Sequence, residues 1–170
     1  FWPAVVGGQP PNVLPTKAPL ISEAASRLRI RTDATVVRDI AAEVEWAKVS
    51  QITPESYPGR SRAAARGGVG DLDAELVARV YAGYEAVKRD RGVIDFEDVL
   101  LLTAGMIEDD LSMAATVRSQ YRCLLVDEYQ DVSPIQQRLL DLWLADSDDL
   151  TVVGDANQTI YSFAGATPTY

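Results

Sequence analysis

Two short apolar runs, each closing on an acidic turn, constrain this chain more than any other feature. Cys123-Leu124-Leu125-Val126 runs into Asp127-Glu128-Tyr129-Gln130-Asp131, and Leu150-Thr151-Val152-Val153 runs into Gly154-Asp155-Ala156-Asn157-Gln158. Neither run alternates with period two, so each reads as a parallel strand buried on both faces, and the helix-length segment between them makes a βαβ crossover. In open α/β sheets the chemistry sits outside the carboxyl ends of the strands. The carboxylates of Asp127 and Glu128 stand at one such end, and the amide of Gln158 stands beyond the other.

Adjacent Asp and Glu at a strand tip have a specific use in nucleotide hydrolysis. The Asp can hold Mg²⁺, which bridges phosphate oxygens, while the neighbouring carboxylate orients and deprotonates the attacking water. Gln158 can reach the same pocket and report whether a terminal phosphate is present. A strand ending in Asp-Glu is more often a solvated turn when it stands alone. The second turn, in this order, reverses that balance.

Leu125 to Asp131, followed by Val153-Gly154-Asp155-Ala156-Asn157-Gln158-Thr159-Ile160-Tyr161-Ser162-Phe163-Ala164-Gly165-Ala166, resembles motifs II and III of the UvrD, PcrA and Rep group of superfamily 1 DNA helicases. The acid pair resembles the Walker B half of a P-loop motor. The resemblance implies ATP and Mg²⁺ as cofactors, bound by Asp127, Glu128 and Gln158, with Asp127 as the metal ligand and Glu128 as the catalytic base. It also implies that Gln158 links the γ-phosphate to the DNA site and that Tyr161 and Phe163 stack on single-stranded bases. Ala164 stands where most relatives of this type have Arg, Asn157 replaces a usual Asp, and Phe163 takes the place of a Trp while keeping a stacking face.

The implied fold class is α/β: a partial RecA-like P-loop NTPase parallel sheet over residues 95–170, carrying motifs II and III, preceded by a helical 1B-like accessory subdomain over residues 1–94. The implied function is that of an ATP-dependent DNA helicase or translocase of repair or recombination, moving 3′ to 5′. Its partners would be single-stranded and duplex DNA and the remaining helicase domains, in the cytoplasm and away from membranes. No Gly is followed by Lys anywhere, so no G-x-x-x-x-G-K-[ST] loop is present. Together with an opening Phe1-Trp2-Pro3, this gives the expectation of an interior fragment, inactive alone, whose phosphate-cradling loop lies upstream. The competing reading is a non-hydrolysing relative that holds DNA or a repair partner. An RNA helicase of the DEAD type fits poorly, because Asp127-Glu128-Tyr129-Gln130 is not D-E-A-D and no S-A-T follows.

Composition narrows the classes further. In 170 residues, 47% are hydrophobic and 24% charged, as in soluble globular proteins, and no apolar run approaches a membrane span. His is absent, which excludes His-based triads and His-containing metal sites. The lone Cys123 reads as a small core residue rather than a nucleophile. Net charge is −9, but residues 1–91 carry 13 basic and 11 acidic side chains, whereas residues 92–170 carry 3 and 14. Phosphate contacts therefore belong more naturally to the first part.

Along that first part, Pro19 opens a helix to about Leu28, and Thr32 or Asp33 caps a longer one to about Ser50. Trp46 lies off its apolar stripe and is expected to touch another helix. Arg60, Arg62 and Arg66 form the most basic window, read either as a phosphate-contacting loop or as a disordered connector. Asp71 is the expected cap of the next helix, with Gly92 as its stop. The apolar helix from Phe96 to about Glu108 is expected to be buried. Ser112 to about Gln120 forms another helix, and Ser133-Pro134-Ile135-Gln136 has the form of a capping box with Pro at the first helical position.

Overall fold

The computed structural model describes residues 7–158, which fall into two compact units, one spanning residues 11–96 and the other residues 97–158 together with 7–10. Phe1, Trp2, Ala164 and the proposed base-stacking Tyr161 and Phe163 lie outside the described residues.

The first unit is helical. It comprises β1 (Asn12–Val13), α1 (Ala18–Arg27), α2 (Ala34–Val49), α3 (Tyr57–Ala63), α4 (Ala74–Arg91) and β2 (Val93–Ile94). α4 packs against α1 and α3, and α1 against α2. The core is Ile21, Ala24, Ile40, Val44, Val77, Val80, Tyr84 and Val87 with their neighbours, all recurring at helical spacing on inward faces. The segment before α1 contributes β1, which pairs in parallel with β2.

Local signals explain most of the boundaries. Pro19 occupies the first turn of α1, and the Asp33 carboxylate accepts the Val36 N–H at 2.8 Å, satisfying one of the orphan donors of α2. The cap of α4 is Asp73, whose Oδ1 accepts the Leu76 N–H at 2.8 Å, not Asp71. Asp71 instead belongs to the turn closed by the antiparallel bridge between Val69 and Leu72. Gly92 ends α4 in the left-handed conformation, at φ +61°.

The basic window is not a disordered connector. Residues Tyr57–Ala63 form α3; Arg62 pairs with Glu75 at 2.7 Å and Arg66 with Glu43 at 2.8 Å. The Arg66 guanidinium also lies 4.5 Å over the Trp46 ring, and Trp46 meets Tyr57 edge-on at 6.2 Å. Trp46 thus touches another helix, as its position on α2 suggested.

Asp95 closes this unit from within. Only 1% exposed, its carboxylate receives Lys48 Nζ at 2.6 Å, Lys88 Nζ at 3.0 Å and the Tyr84 hydroxyl at 2.8 Å. Buried charges persist only when paired and hydrogen-bonded in this way.

The second unit contains α5 (Phe96–Asp109), α6 (Leu111–Gln120), β3 (Leu124–Val126), α7 (Pro134–Leu144) and β4 (Leu150–Val152), with short 3₁₀ turns at Tyr129–Asp131 and Ala156–Gln158. Asp110 caps α6, and Gln136 Oε1 accepts the Ser133 N–H at the head of α7. α6 packs on α7, where Arg118 donates to the Leu142 carbonyl and Tyr121 stacks on Trp143. β3 and β4 pair in parallel, Leu124 with Leu150 and Val126 with Val152.

Three burial expectations fail in this unit. Leu124 and Val126 are half-buried, but Leu125 between them is 73% exposed, so β3 is covered on one face only. Val152 and Val153 are also exposed, and so is Cys123, which is not a core residue. In α5 only Glu97, Ala104 and Ile107 are buried, so this helix is half-covered rather than enclosed. Strand side chains point above and below the sheet, so the exposed residues of β3 and β4 mark a face that no layer covers among the described residues.

Candidate functional site

β3 and β4 end side by side, and their following turns are stitched together by backbone. The Val153 N–H donates to the Val126 carbonyl at 2.8 Å, and the Tyr129 N–H donates back to the Val153 carbonyl at 3.0 Å. The acidic turn after β3 and the amide turn after β4 are therefore neighbours at the carboxyl edge of one parallel pair. This is the edge at which open α/β sheets carry their ligands.

In the first turn, Glu128 adopts φ +52°, ψ +42°, a left-handed conformation that costs a non-glycine residue of order 1 kcal/mol or more. Asp127 Oδ1 accepts the Glu128 N–H at 2.9 Å, which fixes the step between the two acids. Gln130 folds inward, 5% exposed, and its Nε2 donates to Glu128 Oε2 at 2.6 Å. Tyr129 donates its hydroxyl to Gln137 Oε1 at 2.7 Å, anchoring the turn on α7.

The second turn is organised around Asp155. Its Oδ1 accepts the Asn157 N–H at 2.9 Å and the Asn157 side-chain amide at 3.0 Å, while Oδ2 accepts Gln158 Nε2 at 3.0 Å. The Asn157 N–H above all, then the Gln158 amide and the Asn157 side chain, hold this carboxyl below the usual aspartate range. An Asp at 157 has no amide to donate, so Asn157 is an active part of the turn.

Gln130 bridges the two turns. The Asp155 N–H donates to Gln130 Oε1 at 2.9 Å, so an unbroken chain of contacts runs from Glu128 through Gln130 and Asp155 to Gln158. Gly154 makes room for it: a Cβ there would sit 2.4 Å from Gln130 Oε1 and 3.0 Å from the Tyr129 nitrogen. A side chain at 154 would displace the Gln130 amide and crowd the Tyr129 backbone.

Asp127, Glu128, Asp155 and Gln158 are all exposed to solvent. Asp127 Oδ2 and Glu128 Oε1 accept no hydrogen bond among the described residues, and such hard carboxylate oxygens suit Mg²⁺. A groove of about 710 Å³, lined by Lys17, Pro19, Asp33, Val37 and Arg38 among others, belongs to the helical unit and includes none of these residues.

The chain matches the family described as UvrD/REP helicase N-terminal domain over residues 16–170. It is 51% identical, over its whole length, to the ATP-dependent DNA helicase UvrD2 of Mycobacterium tuberculosis. The chain belongs to the UvrD/REP helicase family. Over 86% of its length it is 31% identical to the ATP-dependent DNA helicase PcrA of Leuconostoc citreum, and over 62% it is 36% identical to the ATP-dependent DNA helicase Rep of Escherichia coli. It spans 24%, 19% and 16% of those three UvrD/REP relatives.

Of the residues singled out from the sequence, the structure joins Glu128 and Gln158 through two intermediaries and places Asp127 beside the first. Gln130, Asp155 and Gly154 were quoted within the motifs but given no part to play. The signal was there in outline: an amide two residues past the Glu, and a glycine opening the second turn. What the sequence lacks is the fold of the 3₁₀ turn, which swings Gln130 back beneath Glu128.

Proposed function

We propose that this chain is part of an ATP-dependent DNA helicase of the UvrD/REP family and carries half of its ATPase site. In this reading residues 95–170 belong to a RecA-like motor domain, residues 1–94 to a 1B-like helical subdomain, and the protein moves 3′ to 5′ in repair or recombination in the cytoplasm. The observation that carries it is the pair of stitched turns at the carboxyl ends of β3 and β4, which sets an acid pair beside an amide. The exposed apolar residues of β3 and β4 also support a further layer packed over that face of the sheet.

Asp127 would ligate Mg²⁺, which supplies charge stabilisation of the transferring phosphoryl group. Glu128 would accept the proton of the attacking water, its carboxylate held by Gln130. Gln158 would present its amide to the terminal phosphate after leaving Asp155. Tyr161 and Phe163 would stack on single-stranded bases, each worth roughly 1–3 kcal/mol.

The test is Glu128→Gln in the full-length protein. ATP hydrolysis is expected to fall by about 10²-fold or more, while a fluorescent ATP analogue still binds. Unchanged turnover would overturn the role of Glu128, and a wild-type protein that never hydrolyses ATP would identify a binding-only relative instead.

A further inference from the structure

We propose that Gln130 is a positioning residue of the ATPase site, coupling the catalytic base to the turn that carries Gln158; this rests on the reading of Glu128 as that base. Three observations converge on it. The side chain is 5% exposed, yet both ends of its amide are used in a direction that suits coupling: Nε2 donates to the Glu128 carboxylate at 2.6 Å and Oε1 accepts the Asp155 N–H at 2.9 Å. The neighbouring strand end carries the one residue type that leaves space for it, because a Cβ at Gly154 would lie 2.4 Å from Oε1. And Glu128 itself sits in a left-handed conformation that its surroundings must hold.

Each link has a distinct job. The donated N–H fixes the direction of one Glu128 carboxylate oxygen and leaves the other to face water. The accepted N–H fixes the start of the second turn, and Asp155 in turn holds the Gln158 amide. A shift at either acid or amide is thereby felt at the other through one rigid buried side chain rather than through solvent. A preorganised base of this kind matters for the chemical step and not for holding nucleotide.

The experiment compares Gln130→Met and Gly154→Ala with wild type in the full-length protein, with Glu128→Gln as a control. Active sites are titrated with a fluorescent ATP analogue, and turnover per binding site is measured with and without single-stranded DNA. Expected are analogue affinity within about twofold of wild type, kcat lowered at least about tenfold in both variants, and a smaller ratio of DNA-stimulated to basal turnover. Gln130→Glu, which keeps the acceptor for Asp155 and loses the donor to Glu128, should also lower kcat; it carries the decision with Gly154→Ala should the Met variant fail to fold. A residue that merely filled space would lower the number of binding sites and leave kcat per site intact, and that result would overturn the proposal. Normal kcat in these variants beside an inactive Glu128→Gln would overturn it alone, whereas an active Glu128→Gln would overturn the base assignment and this proposal with it.

Discussion

Single side chains carry consequences well beyond their size in this chain, and Asp95 is the clearest case. Removing it by Asp95→Ala takes the shared carboxylate from Lys48 and Lys88, both almost fully buried, which keep Glu85 at 3.3 and 2.9 Å, and the expected loss is about 3 kcal/mol by denaturant unfolding of the 170-residue chain. Tyr57 gives a second test, this time of pH. Burial first, and then the hydrogen bond and charge of Glu43, raise its phenol above the ordinary value, with Arg66 opposing. Because the folded state keeps a proton that the unfolded chain releases, the stability tied to Tyr57 is whole below pH about 10 and drains away as pH rises beyond it. Tyr57→Phe should flatten that alkaline decline, and equal slopes for the two proteins would contradict it. Neither role was legible in the sequence. Asp95 gathers Lys48, Tyr84 and Lys88 from 47, 11 and 7 positions away, and Tyr57 meets Glu43 from 14 positions away, so neither set of partners is set by a local pattern.

At the scale of elements, local chemistry was a good guide wherever the cause is local. Pro19, Asp33 and the Ser133–Gln136 pair mark helix starts because each acts within one turn. Two carboxylates two residues apart defeat the same logic: Asp71 and Asp73 both precede an apolar run, and only the bridge between Val69 and Leu72 decides that Asp73 caps α4. Asp73→Ala is therefore expected to cost about 1 kcal/mol and Asp71→Ala a few tenths, measured by thermal unfolding. The strands show a different limit. Their parallel pairing was readable from the apolar runs, but the burial of Leu125, Val152 and Cys123 was not, since it depends on which layers surround the sheet. The order of the arginine window was hidden for a related reason: its acidic partners, Glu43 and Glu75, sit on other helices.

For the molecule as a whole, the family is shown by its match over residues 16–170, while the motor chemistry is the reading that the stitched turns support. The motifs were legible because strand, acid pair and amide turn follow one another in sequence; the bridge through Gln130 was not, because it exists only once the turns meet. The 170 residues lack a phosphate-cradling G-x-x-x-x-G-K-[ST] loop, so the purified chain is expected to release no phosphate from ATP above a protein-free control. The account depends most on both turns facing one bound nucleotide. A crystal structure of the full-length protein with Mg²⁺ and a non-hydrolysable ATP analogue measures this directly. The account predicts Asp127 at the metal and Glu128 and Gln158 around the terminal phosphate; a terminal phosphate bound out of reach of all three side chains would contradict it.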